Sequence, residues 1–264
     1  MGLRAPEWIV VAYFAYLAGA AALVPHVRRQ QRWRALGMAS AVSIAVFTIA
    51  AFDTAATWWR EWLPLIYIVI GYRLPALLVT TTNETIERGL LTLDRRWRVN
   101  TIRERAPRVV IAFLELAYLC CYPMVPLGFA VLYFAGLREE WDRFWIAVLL
   151  AAFGCYGVLP WLPTRPPRAI EGAPMPSPGL IRGLNVRVLG VVSNQLNTFP
   201  SGHAAASLAT ALAVGAPLPW AGLLFGLLAL AIAIGSVVGR YHYAADALAG
   251  VAIALLGFVI SRLV

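Results

Sequence analysis

The sequence contains no lysine, and charged residues make up only 13% of its 264 residues. A soluble globular domain usually has about 25% charged residues and about 45 to 50% apolar ones. Here 61% of the residues are hydrophobic, and the mean hydropathy is +0.72. This scarcity of charge excludes a soluble globule of this size, so the composition predicts a membrane protein.

Because lysine is absent, all 22 basic residues are arginines, and the formal net charge is +9. Arginine favours bidentate contacts with phosphate over the point-charge contacts that lysine makes. Nucleic-acid-binding domains place their positive charge on a water-facing patch within a polar surface, which this chain lacks. We therefore expect membrane lipids and an anionic lipid or lipid headgroup as partners, and no nucleic acid.

Cysteine is also scarce. Cys120, Cys121 and Cys155 all fall within apolar runs. An odd number of cysteines without paired spacing does not form a disulfide framework, so we interpret them as small buried hydrophobic residues. Metal-ligand spacing is absent as well, and the sequence predicts neither a metal nor a cofactor.

Long apolar runs dominate the rest of the chain. A bilayer core about 30 Å thick needs roughly 20 apolar residues for each crossing helix. The sequence predicts an all-α, polytopic membrane helix bundle of about eight spans. The runs are 8–24, 36–52, 62–80, 109–134, 144–162, 203–216, 219–238 and 246–261.

Two hydrophilic stretches separate these runs. Residues 80–108 mix arginines with leucines and predict a helix lying in the membrane interface. Residues 163–202, rich in proline and glycine, predict a loop with little regular structure. With eight spans, both stretches share one face with residues 28–34 and 240–245, and that face holds sixteen of the 22 arginines.

The first chemical motif is Phe199-Pro200-Ser201-Gly202-His203, which opens an alanine-rich helical run. Ser201 can cap that helix, and the free N–H groups of the first turn, from Gly202 onward, form an anion site with the helix dipole. His203 is otherwise an interfacial histidine on a capped helix. Residues 188–239 contain no charged residue, and His203 is their only readily titrating side chain.

A second motif spans residues 239–246. If residues 242–246 are helical, His242 and Asp246 lie one turn apart on the same face. The carboxylate can then hold one imidazole nitrogen and leave the other free for nucleophilic attack. The alternative is a pair that only satisfies itself, but Arg240 stands two residues away and His203 opens another helix on the same face.

Arg165 and Arg168 end the span at residue 162, within the segment Pro163-Thr164-Arg165-Pro166-Pro167-Arg168. Two arginines fixed by prolines can clamp a phosphate, although arginines that merely flank a span are the simpler explanation for an isolated pair. Elsewhere, Arg73 can pair with Glu115 as a buried structural tie, or its side chain can extend to the interface.

Together these residues resemble the type 2 phosphatidic acid phosphatase (PAP2) superfamily, which also includes vanadium haloperoxidases. Arg165-Pro166 matches the Arg-Pro of its first motif, 200–203 match Pro-Ser-Gly-His, and His242 with Asp246 matches His-x-x-x-Asp. The first-motif lysine falls at Val158, with Arg168 as its substitute. The third-motif arginine falls at Ser236, with Arg240 as the nearest replacement.

The resemblance implies a catalytic core of six helices over residues 61–264, preceded by two added helices over residues 1–60. It implies that His242 attacks phosphorus to form a phosphohistidine, with Asp246 holding its tautomer and His203 acting as acid and base. Phosphate binding then falls to five residues: Arg165, Arg168, Ser201, Gly202 and Arg240. No metal enters this scheme.

Three functions remain open on the sequence. The first is a membrane phosphatase that hydrolyses a lipid phosphate or pyrophosphate monoester. The second is a phosphotransferase that moves a phospho-headgroup to an alcohol, because residues 163–168 are also similar to the inositol-phosphorylceramide synthase group. The third is a transporter that only binds lipid phosphate.

The orientation in the membrane is predicted by two conflicting signals. The positive-inside tendency puts the arginine-rich face in the cytoplasm. The resemblance implies an extracytoplasmic active site, with an odd number of spans before Arg165 and a cytoplasmic N-terminus. We follow the resemblance, because a phosphate-binding face has its own reason to collect arginines, and expect a bacterial inner-membrane protein with its active site outside the cytoplasm.

Overall fold

The computed structural model of the chain describes residues 2–25, 27–52, 58–171 and 180–264. Within these ranges the chain forms thirteen α-helices, two short 3-10 helices and no β-strand, which confirms the predicted all-α class. The α-helices are α1 Ala5–Leu23, α2 Arg29–Phe52, α3 Trp58–Arg73, α4 Glu84–Arg96, α5 Val99–Arg105, α6 Arg108–Leu119, α7 Cys121–Phe134, α8 Trp141–Tyr156, α9 Pro167–Glu171, α10 Leu180–Val192, α11 Gly202–Gly215, α12 Pro219–Val238 and α13 Ala244–Leu263.

Each predicted span coincides with one helix or, for 109–134, with the pair α6 and α7. Among the described residues, five helical segments are long and apolar enough to cross a membrane, or six if that pair is one span; one of the five is α3 together with the 3-10 helix Leu74–Leu78 that continues it. The pair bends by 58° at Cys120, because Pro123 cannot donate to the carbonyl of residue 119 and its ring clashes with it. The two further spans of the predicted eight, α8 and α11, have only 16 and 14 residues.

Helix α8 forms the centre of the bundle. It packs against α1, α3, α7, α11 and α13, and the ring of Phe153 stacks on Tyr13 of α1 at 4.0 Å between centroids. A helix with neighbours on every side can be apolar all round, which explains why residues 144–149 are all buried. Helix α1 is thereby packed directly on the predicted catalytic core.

The predicted interfacial helix over residues 80–108 is two helices, α4 and α5, separated at Arg98, which has a φ of +55°. Helix α4 is amphipathic, and its buried Leu90 and Leu91 pack with Tyr243. A hydrogen bond from the backbone N–H of Asn83 to the carbonyl of Pro163 (2.9 Å) ties the start of this segment to the next loop. The segment therefore lies over the turn between α12 and α13.

The prediction of little regular structure for residues 163–202 is wrong for part of that stretch. It contains the short helix α9 and the 13-residue helix α10. The dense proline and glycine run, residues 172–179, lies outside the described residues. Helix α10 instead carries spaced apolar residues, and it packs against α6 with Leu189 buried.

Candidate active site

His203 and His242 line one cavity, which is partly open and has about 430 Å³ of empty space when its open mouth is included. Their ring centroids lie 5.6 Å apart, with the ring planes at 83°. Because reacting atoms approach to about 3 to 3.5 Å, one phosphoryl group between the rings can contact both. We call this space the histidine cavity.

The ring of His242 is fixed by the backbone of the loop before α11. Its Nδ1 lies 2.9 Å from the carbonyl oxygen of Thr198. A carbonyl only accepts hydrogen bonds, so Nδ1 carries the proton and the lone pair remains on Nε2. Burial lowers the pKa of His242 to about 4; the bond to Thr198 opposes this shift, and the charge of Arg168 adds to it. The imidazole is therefore neutral at pH 7.

The resemblance assigned the tautomer of His242 to Asp246, but the structure places Asp246 differently. Its Oδ2 lies 3.5 Å from Nδ1 of His242, farther than Thr198. The same oxygen accepts a hydrogen bond of 3.0 Å from the backbone N–H of Tyr243 and caps α13. The backbone carbonyl of Asp246 accepts from the N–H of Ser201 at 3.0 Å. Asp246 thus joins the second and third motifs.

The start of α11 has the predicted form. The hydroxyl of Ser201 accepts a hydrogen bond from the N–H of Ala204 at 3.3 Å, as an N-cap does. The first N–H groups of a helix have no partner within it, and Gly202 and His203 both line the histidine cavity. A Cβ on Gly202 would lie 2.5 Å from the ring of Tyr156, so only glycine fits there.

The ring of His203 is held by aromatic edges. Tyr118 and Tyr122 both meet it in T-shaped contacts, with centroids at 5.4 and 5.7 Å. These tyrosines come from the bent pair α6 and α7, so the bend at Cys120 brings both onto one histidine.

Of the three arginines predicted to bind phosphate, Arg168 lines the histidine cavity. Its guanidinium lies 4.7 Å over the ring of Tyr241, and Tyr241 stacks on Tyr118 at 4.2 Å. The Nη1 of Arg168 is buried and has no hydrogen-bond partner among the described residues. A buried guanidinium N–H without a partner is a group that an anion would satisfy.

The position of Tyr241 depends on Glu115, which is buried in α6. One carboxylate oxygen accepts hydrogen bonds from Tyr241 Oη (2.5 Å) and from Asn185 Nδ2 (2.6 Å). The other forms an ion pair with Arg182 of α10. The predicted pairing of Glu115 with Arg73 is wrong, because the unforeseen α10 supplies that partner and Arg73 donates to the carbonyl of Val191 at 2.8 Å.

Arg165 and Arg240, also predicted to bind phosphate, do not line the histidine cavity. Arg165 donates to Glu87 of α4 at 2.7 Å. Arg240 is buried, pairs with Asp94 at 3.5 Å and also forms an ion pair with Glu171. These carboxylates neutralise both guanidinium groups, so the two arginines link α4, α9 and the turn before α13 to one another.

A larger, mainly apolar space adjoins the histidine cavity. It is partly open, has about 1120 Å³ of empty space when its open mouth is included, and is lined by residues of α3, α7 and α11, including Leu65, Ile68 and Val125. His203, Gly202 and Tyr156 line both spaces. We call it the apolar chamber; it offers an apolar volume next to the two imidazoles.

Several residues of the site were missed in the sequence. Thr198 acts through its backbone carbonyl, for which no side-chain pattern exists. Tyr118, Tyr122 and Glu115 lie far from the motifs in sequence, whereas Tyr241 stands beside His242 and could have been considered. Among the described residues, no group of three or more His, Cys, Asp or Glu side chains could hold a metal ion.

Comparison with known proteins gives a family. The family model of the PAP2 superfamily matches residues 85–260, two thirds of the chain. The match begins within α4, so α1, α2 and α3 precede it. No curated protein and no solved structure matches the chain. The chain therefore belongs to the PAP2 superfamily, whose members are generally phosphatases and phosphotransferases that act on phosphate esters.

Proposed function

We propose that the protein is an integral-membrane lipid phosphatase that hydrolyses a lipid phosphate or pyrophosphate monoester through a phosphohistidine. The observation that carries this proposal is the pair of imidazoles, 5.6 Å apart, in one cavity with Arg168. The adjoining apolar chamber supports a lipid as substrate, because it offers an alkyl chain an apolar volume beside the reacting groups.

In the first step, the lone pair on Nε2 of His242 attacks phosphorus, and an N–P bond forms as the bond to the ester oxygen breaks. The electron pair of the broken bond goes to the leaving oxygen, and His203 supplies its proton. The transferring group needs positioned positive charge more than covalent assistance. Arg168 and the N–H groups that begin α11 supply that charge in a water-poor site.

In the second step, water attacks the phosphohistidine and His203 accepts its proton. The N–P bond breaks, its electron pair returns to Nε2, and inorganic phosphate leaves. An alcohol in place of water gives a new phosphate ester by the same steps, which is the phosphotransferase alternative.

Phosphate release tests this proposal. Purified wild type, with EDTA present, is expected to release inorganic phosphate from a long-chain alkyl phosphate in detergent. His203→Ala is expected to lower the rate by about 10² to 10⁴-fold, the usual contribution of a general acid. A substrate with a p-nitrophenyl leaving group is the matched control. Because p-nitrophenolate leaves without a proton, His203→Ala should slow the first step less with this substrate than with the alkyl phosphate.

The other outcomes of this assay distinguish the alternatives. A phospho-alcohol formed in preference to phosphate, when glycerol is supplied, would establish the phosphotransferase. Binding of the alkyl phosphate without any turnover would support the transporter. Loss of activity on chelation would contradict the metal-free scheme.

We further propose that the face with the histidine cavity lies outside the cytoplasm of a bacterial inner membrane. Arg96 on α4 is exposed on that face, and Arg96→Cys in a background without native cysteines provides a reporter. We expect a membrane-impermeant maleimide to label it in intact cells. Labelling only after the cells are lysed would reverse the orientation.

A further inference from the structure

We propose that helix α10 lies at the boundary between the lipid headgroups and the acyl chains, with its outer face in contact with lipid. The same side of the bundle carries a second amphipathic helix, α4, and the outer face of α4 contacts water. The proposal identifies a membrane contact surface and is independent of the hydrolysis proposed above, because neither helix needs substrate or turnover to occupy its place.

The first observation is that the outer face of α10 is apolar. Leu180, Leu184 and Val191 are 93%, 51% and 74% exposed, respectively. Their spacings of four and seven residues put them on one side of the helix. The helix has two charged residues, Arg182 and Arg187, of which only Arg187 is exposed. A stripe of large exposed apolar side chains marks a surface that contacts a partner other than water.

The second observation is that the inner face of α10 carries its polar groups. Arg182 forms an ion pair with Glu115 of α6, and the buried Asn185 donates to the same carboxylate at 2.6 Å. Leu189 is buried on this side as well. A surface helix of a soluble protein turns its apolar side to the core and its polar side to water. Helix α10 has the reverse arrangement, which is favourable where the outer environment is lipid.

The neighbour of α10 indicates which partner covers the apolar stripe. Helix α10 packs against α6, and Val109, Phe113 and Leu116 of α6 are exposed. Together with α7, helix α6 forms a candidate span, so its exposed apolar side chains face the bilayer. The stripe on α10 therefore belongs to a helix that packs directly on a lipid-facing one.

Helix α4 shows the opposite distribution. Its Leu90 and Leu91 are buried, whereas Glu84, Arg88 and Thr92 are exposed. The side chains of Glu84 and Arg88 are 71% and 75% exposed and lie 4.0 Å apart. This is the ordinary pattern of a helix that covers protein on one side and faces water on the other. The two amphipathic helices thus have different outer environments.

The place of α10 also bears on the histidine cavity. Leu189 and Ser193, which follows the helix, line this cavity. The backbone carbonyl of Val191 accepts a hydrogen bond from Arg73 of α3 at 2.8 Å, so the end of α10 is tied to a span. Because the inner face of α10 forms part of the cavity wall while its outer face contacts lipid, the bilayer supports one wall of the site.

Fluorescence quenching in nanodiscs tests the proposal. Leu184→Cys and Val191→Cys, each in a background without native cysteines, are labelled with bimane. Thr92→Cys on α4 is the matched control, because Thr92 is exposed on the same side of the bundle. We expect 1-palmitoyl-2-(6,7-dibromostearoyl)phosphatidylcholine, relative to the unbrominated lipid, to quench bimane on α10 at least about twofold more strongly than bimane on α4. Iodide in the aqueous phase should give the opposite order.

The remaining outcomes would contradict the proposal. Stronger quenching by iodide at Leu184→Cys and Val191→Cys than at Thr92→Cys would show that the outer face of α10 contacts water. Protection of α10 from both quenchers would show that protein covers this face. Equal quenching of α4 and α10 by the brominated lipid would remove the difference between the two helices. Since no measurement needs substrate, a failure here is distinct from a failure of phosphate release.

Discussion

Replacing His242 with alanine is expected to lower the rate of phosphate release by about 10⁴-fold or more, since the variant loses the nucleophile of a group that acts as a unit. The loss should be equally large with alkyl and p-nitrophenyl leaving groups, in contrast to His203→Ala. An alkaline quench during turnover should trap phosphate on wild type and none on the variant.

The pH dependence of the same reaction reports on the protonation of His242. Because burial lowers the pKa of His242 to about 4, the imidazole stays neutral above that pH, and the fall of kcat/KM that its protonation causes should come as the pH drops through about 4. An ordinary histidine would lose its lone pair near pH 6.5.

Retention of more than about 1% of wild-type activity in His242→Ala, with unchanged thermal stability, would contradict the nucleophile assignment.

Arg168→Ala is expected to lower kcat/KM by about 10² to 10³-fold, as does removal of one donor to a developing charge in other enzymes. Arg168 lines the histidine cavity, and its buried Nη1 lacks a protein partner among the described residues. Arg168→Lys should restore only part of the loss, because lysine keeps the charge but loses the planar fork and the stacking on Tyr241.

The matched comparison is Arg165→Ala, three residues away. The guanidinium of Arg165 is engaged by Glu87 and does not line the histidine cavity, so we expect a loss in kcat/KM of about tenfold or less. Steady-state kinetics on detergent-solubilised protein measure both variants. Equal losses would show that Arg165 leaves Glu87 and joins the site when substrate binds.

The helices and the motif residues could be predicted because their signals are local. Apolar runs mark helices wherever a bilayer or a bundle surrounds them, and the cap at Ser201 follows from a residue type at a helix start. The average composition of residues 163–202 does not reveal helix α10, because their proline and glycine are concentrated outside Leu180–Val192.

The partners of charged groups could not be predicted, because an ion pair depends on which elements meet. Arg165 and Arg240 resemble phosphate ligands in the sequence, yet Glu87, Asp94 and Glu171 neutralise them in the fold. Arg168 cannot be distinguished from these two arginines in the sequence. In the fold its guanidinium stacks on the ring of Tyr241, whereas theirs pair with carboxylates. A buried charge is costly unless it is paired, because it has lost its contacts with water. The packing of the helices determines which partner lies within reach.

The sequence by itself determined that this is a helical membrane protein with two histidines, far apart along the chain, in a family of phosphate-ester enzymes. Hydrophobic runs and short motifs carry that information because they act through neighbours in sequence. Only the tertiary structure decided that Thr198 orients His242 and that Arg168 lines the cavity. Those roles depend on distances across the bundle, which are set by the packing of helices remote from one another in the chain.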